Sequence, residues 1–99
     1  MDVIKKHENE TTILNIQGKV DSVSAPQLEE ILLPTFNEAE QVILDFSEVT
    51  YVTSAGLRVL ITGHEAAQAR GASMTLRHVS EDVMEVLDMT GFSSFLVIE

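Results

Sequence analysis

Asp45-Phe-Ser-Glu-Val-Thr-Tyr-Val-Thr-Ser-Ala-Gly-Leu-Arg-Val-Leu-Ile61 joins a strand pattern to a helix pattern through two adjacent hydroxyls. Just upstream, Val42-Ile-Leu-Asp-Phe46 is the near-continuous apolar run expected of a central strand covered on both faces. Downstream, Leu57, Leu60, Ile61 and His64 recur at i, i+3, i+4 and i+7, the stripe of a half-buried helix. That helix should start near Ser54 and stop at Gly71, a residue suited to a left-handed C-terminal cap. Thr53 and Ser54 therefore fall at a helix N-terminus, where free N–H groups and the helix dipole favour negative charge. One hydroxyl can serve as the cap while the other stays open to modification.

Outward from this junction, the rest of the chain alternates. Val3 and Ile4 suggest a short edge strand. Residues 12–18 place Leu14 and Ile16 on one face of a second strand, with Gly18 permitting a sharp exit. Ser24-Ala-Pro-Gln27 reads as a capped helix start, followed by Leu28, Ile31, Leu32 and Thr35 at helical spacing. Pro34 should kink or stop that helix. Ser73-Met-Thr-Leu-Arg77 reads as a strand. Ser80 then caps a third helix, with Val83, Val86, Leu87 and Thr90 inward and Gly91 at its end. Residues 95–98 form a last strand. The order β-β-α-β-α-β-α-β predicts an α/β domain: a mixed, mostly parallel sheet of four to five strands with about three helices.

The chain of 99 residues fits one domain spanning 1–99, and 44% hydrophobic residues suffice for a core. With no Trp and 5% aromatics, that core must be aliphatic. A formal net charge of -10 disfavours nucleic acid and anionic membrane surfaces, both of which select Lys and Arg clusters. The absence of Cys excludes disulfides, thiolate catalysis and Cys-ligated zinc. His7, His64 and His78 lack ligand spacing, and His64 falls on an inner helical stripe. No nucleophile–base pair or phosphate-cradling glycine loop stands out, so no catalysis, cofactor or metal is assigned. The N-terminus lacks a signal-peptide core and no run is long enough to span a bilayer, so a cytoplasmic location is expected.

Gly18-Lys-Val-Asp21, Val42-Ile-Leu-Asp-Phe-Ser47, Val49-Thr-Tyr51, Thr53-Ser-Ala-Gly-Leu57, Gly71 and Leu87-Asp-Met-Thr-Gly-Phe92 together resemble the STAS domain, in this order and over nearly the whole chain. In stand-alone bacterial members of that family, the matching serine is phosphorylated by an anti-sigma-factor kinase and restored by a serine phosphatase. The resemblance thus implies an anti-sigma-factor antagonist with Ser54 as phospho-acceptor and Thr53 as its rival. It implies a partner surface at Asp21, Thr53, Ser54, Gly56 and Arg58. Bottom-up, Asp21 can equally be a turn residue, Gly56 a packing site and Arg58 an ordinary exposed cation. Two departures stand out. Thr53 occupies a position where many phosphorylated members carry Asp, and many members continue past the last strand with another helix. The alternative within the family is a non-switching accessory subunit of a membrane transport complex. A small-molecule sensor is a third reading without a phosphate loop to support it.

Overall fold

The computed structural model describes residues 1–99. Its elements are β1 (Asp2–Glu8), β2 (Thr11–Val20), α1 (Ala25–Thr35), β3 (Gln41–Val52), α2 (Ser54–Arg70), β4 (Ser73–Arg77), α3 (Glu81–Met89), a short 3-10 turn (Phe92–Ser94) and β5 (Val97–Ile98). The sheet has five strands in the order β1-β2-β3-β4-β5. The β1–β2 pair is antiparallel and the other three pairs are parallel. The predicted class and element order match this architecture.

From β2 onward each strand lies on the same side of its predecessor. Right-handed crossovers therefore put all three helices on one face. The core reflects this. Leu14, Leu44 and Leu76 from adjacent strands join Leu28 and Leu32 of α1, Leu60 of α2 and Leu87 of α3 in one cluster. Each of these seven leucines is at most 1% exposed, so an aliphatic core does the work that aromatics do elsewhere. Burial of each contributes about 2 kcal/mol before entropy costs. Ile43 is buried but outside that cluster, in the row Ile13–Ile43–Thr75 on the other face. The expectation that β3 is covered on both faces is thus corrected: on the face away from the helices, neighbouring strands rather than a second layer flank Ile43.

Several boundaries differ from the sequence reading, each for a local reason. β1 is a full seven-residue strand, because the two-residue Asn9–Glu10 connection, with Asn9 at φ 55°, folds it back onto β2. Gly18, at φ 100°, does not end β2; it sits in an irregular stretch of a strand that runs on to Val20. β3 extends to Val52 because its register against β2 shifts twice, at Asn15/Gln17 and at Gly18/Lys19. Those bulges change the burial spacing from Val42, Leu44 and Phe46 to Val49 and Val52, which hides the strand from a period-two reading. The last strand shrinks to two residues behind the 3-10 turn.

Helix ends follow their capping chemistry. Pro34 lies in the last turn of α1, which stops one residue later, as a proline predicts. Gly71 closes α2 at φ 68°, with the Ala72 N–H donating to the Ala67 carbonyl at 2.9 Å. Ser80 caps α3 by accepting from the Val83 N–H at 3.2 Å. Ser24 does not cap α1 with its side chain. Its hydroxyl lies 2.8 Å from the Lys19 carbonyl, to which it donates, and accepts from the Asp21 N–H at 2.9 Å.

Candidate functional site at the start of the second helix

The C-terminal ends of β2 and β3 pair side by side, with Val20 opposite Val52. The Val20 carbonyl accepts the Thr53 N–H at 3.0 Å. That bond puts Asp21 and Ser54 one residue beyond each partner, so the two loops meet at one end of the sheet. The Val20 carbonyl also faces α2: a Cβ built on Gly56 would lie 2.7 Å from it, 2.9 Å from a Val52 methyl and 3.0 Å from a Val20 methyl. Helix α2 can begin this close to the strands only because position 56 has no side chain.

Thr53 is the N-cap of α2, with extended backbone (φ -94°, ψ 178°), and Ser54 is the first helical residue. The Thr53 carbonyl accepts the Leu57 N–H at 2.9 Å, which starts the helical ladder. Its side chain accepts no hydrogen bond from the helix. Instead, its half-buried hydroxyl is directed at the Val20 carbonyl across a long 3.4 Å contact. The N–H groups of the first turn, which have no intrahelical acceptor, are therefore not occupied by a capping side chain. Ser54 is exposed and makes no side-chain hydrogen bond within the protein.

Asp21 is held in place by the turn it organises. Its Oδ1 accepts the N–H groups of Val23 and Ser24, each at 3.0 Å, and lies 3.1 Å from the Ser24 hydroxyl oxygen. Meanwhile the Ala25 N–H donates to its carbonyl at 2.8 Å. The Asp21 carboxylate thus fixes the turn that leads into α1, while Ser24 stays at the N-cap position without a side-chain bond to the helix and Oδ2 takes no part. The Ser24 N–H bond, followed by that from Val23, holds the Asp21 carboxyl below its ordinary value near 3.8, against the opposing effect of desolvation. A depressed folded pKa supplies stability above the unfolded value that is lost as pH falls through the folded one. Acid unfolding should therefore begin to draw on Asp21 below about pH 4. Asp21→Asn, which removes this titration but keeps an acceptor oxygen, should show a shallower fall of melting temperature with acid than the parent protein; equal slopes would contradict this.

The site residues named from sequence do not all face outward. Asp21, Thr53 and Ser54 converge. Arg58 is exposed one helical turn beyond Ser54 and edges a groove of about 210 Å³ between α1 and α2. Ala25, Pro26 and Glu29 bound the groove on one side, and Ala55, Arg58 and Thr62 on the other. Gly56 is buried, so its role at this site is the close approach of helix to strand rather than a surface contact. Two residues that the sequence reading did not assign to the partner surface add apolar surface at this end: Val23, 86% exposed beside Asp21, and Tyr51, 56% exposed two residues before Thr53. Val23 lies in a turn, where a lone apolar residue carries no periodic signal, and Tyr51 lies in the irregular end of β3, so neither exposure was visible before the fold. His64 is half-buried, its ring centroid 5.2 Å from that of Phe95. No group of His, Asp or Glu is arranged to hold a metal ion. No helix is long and apolar enough to cross a membrane.

The family model described as the STAS domain matches residues 2–99. The chain belongs to the STAS domain family. Among curated relatives, the anti-sigma-B factor antagonist of Bacillus subtilis is 30% identical over 95 residues, covering 96% of this chain and 86% of the relative. An anti-sigma factor antagonist from Mycobacterium paratuberculosis superposes with a TM-score of 0.87 at 17% identity, covering 98% of this chain and 83% of that one. The Bacillus cell fate determinant SpoIIAA in its phosphorylated form gives a TM-score of 0.76 at 14% identity, covering 99% and 91% of the two chains. At such low identities these two structures speak for the STAS fold alone.

Proposed function

We propose that this STAS domain is an anti-sigma-factor antagonist whose binding to an anti-sigma-factor serine kinase is gated by phosphorylation of Ser54. The observation that carries the reading is the exposed Ser54 hydroxyl in the first turn of α2, beside the Asp21 turn. Thr53, the rival acceptor, is half-buried with its hydroxyl turned toward the Val20 carbonyl, which favours Ser54. Descent from the same family as the Bacillus subtilis antagonist favours a switching regulator over a transport-complex subunit.

The chemistry belongs to the partner. The Ser54 Oγ attacks the γ-phosphorus of the kinase's ATP and the bond to the β-phosphate oxygen breaks. The hydroxyl proton passes to a base on the kinase, and ADP leaves. A serine phosphatase reverses the modification by transferring the phosphoryl group to water. The unmodified face, with Ser54, the free Asp21 Oδ2, Val23 and Tyr51, docks on the kinase and withdraws it from its sigma factor. The phosphate adds about -1.5 to -2 charges there.

Incubation with the cognate kinase and ATP, followed by mass-spectrometric mapping, tests the assignment. The expected result is one phosphate on Ser54. A kinase that is active on other substrates yet leaves both Ser54 and Thr53 unmodified would overturn the switching model.

A further inference from the structure

Resting on Ser54 as the phospho-acceptor, we propose that the Arg58 guanidinium is the internal counter-ion of the phosphorylated serine. The modified domain then folds its phosphate down onto its own helix. Ser54 and Arg58 are both exposed on α2 and four residues apart, about 6 Å along the axis and on the same face. Helical side chains lean toward the N-terminus, so a long side chain at position 58 lies over the turn that carries Ser54, not away from it. A guanidinium offers a planar fork matched to two phosphate oxygens, a geometry that a single ammonium cannot reproduce.

The cation is available. The four ion pairs of the structure use Lys5, Lys6, Arg77 and His78, and none involves Arg58. The one acid across the groove, Glu29 of α1, is not within ion-pair distance of it. Asp21, in the β2–α1 turn, is the other carboxylate at this end, and its Oδ1 is committed to that turn. A dianion one turn away therefore competes for Arg58 against a lone carboxylate on a neighbouring helix. In a chain with a net charge of -10, a local cation next to the acceptor is also what lets two further negative charges be tolerated.

The pairing has a direct readout in the phosphate itself. A cation held against phosphoserine favours the dianion and lowers its second dissociation pKa. Phosphoserine placed at position 54 by genetic encoding, and titrated by phosphorus NMR, reports this without any kinase. Arg58→Ala should raise the titration midpoint by about half a pH unit, a roughly threefold change in the dissociation constant. Arg58→Lys should fall between the two, and Glu29→Gln, which removes the opposing charge, should shift the midpoint downward. Arg58 is exposed, so its variants retain the fold, which circular dichroism verifies. The same midpoint in Arg58→Ala and in the parent would overturn the pairing. A kinase that ignores Ser54 would refute the functional reading while leaving this titration intact, so the two failures are distinguishable.

Discussion

Gly56→Ala should destabilise the domain by about 3 kcal/mol, whereas Gly63→Ala in the same helix should be within about 1 kcal/mol of neutral. Both glycines are buried and both would place a new Cβ 2.7 Å from a heavy atom, so burial does not separate them. What separates them is the identity of the neighbour. At position 56 the Cβ meets the Val20 carbonyl oxygen, which is fixed by its bond to the Thr53 N–H, with methyls of Val52 and Val20 behind it. Relief requires moving α2 off the strands and breaking that bond. At position 63 the Cβ meets a terminal methyl of Leu32 and, at 3.0 Å, the thioether sulfur of Met74, both far along side chains that can rotate aside. There the gain in helix propensity from glycine to alanine, about 1 kcal/mol, offsets the repacking. Urea unfolding should show a large drop in midpoint for Gly56→Ala and little change for Gly63→Ala. For a domain of this size 3 kcal/mol corresponds to a fall in melting temperature of about 12–24 °C. Equal effects would mean that the contact with Val20 does not set the position of α2.

Charge at position 54 should weaken kinase binding by about a thousandfold while scarcely altering stability. A carboxylate or phosphate at a helix N-terminus is favourable by about 0.3–1 kcal/mol when exposed. The same charge, carried into a dry interface where one guanidinium offsets only part of it, costs several kcal/mol. The second quantity dominates, and about 4 kcal/mol is a thousandfold in affinity. Ser54→Ala removes the acceptor without adding charge and should bind the kinase constitutively, with ATP present or absent. Ser54→Asp should reproduce only part of the loss, because it carries one charge where phosphate carries nearly two. Titration calorimetry with the purified kinase distinguishes these outcomes. Parent-like affinity for Ser54→Asp, together with ATP-sensitive binding by Ser54→Ala, would contradict the gating model.

The parts of the fold that were legible in the sequence are those with uninterrupted periodicity or unambiguous caps. The extent of α2, the Gly71 stop and the Ser80 cap emerge where the pattern puts them, because local chemistry and tertiary packing agree there; of the α2 stripe Leu57 and Leu60 are buried, while Ile61 and His64 are half-buried and Val59, Gly63 and Ala67 complete the buried face. The misreadings cluster where backbone irregularity breaks the pattern. The bulges of β3 change the spacing of buried residues, and Gly18 bends β2 without ending it. At the site, Thr53 and Ser54 were both candidates for the cap, and only the strand-to-helix geometry separates them: one hydroxyl turns toward Val20 and the other is left exposed. Ser24 looked like a side-chain cap because its residue type and spacing fit, yet its hydroxyl is drawn back to the Lys19 carbonyl and the Asp21 N–H rather than to the helix. The exposure of Val23 and Tyr51 and the steric demand on Gly56 are tertiary facts, with no local signature.

The most direct measurement sets two numbers side by side for the domain carrying phosphoserine at position 54: its melting temperature and its affinity for the cognate kinase. A melting temperature near that of the unmodified domain, with affinity reduced about a thousandfold, is what a fold-tolerated, partner-rejected dianion requires. Equal affinity of the modified and bare forms, or unfolding of the modified one, would contradict it.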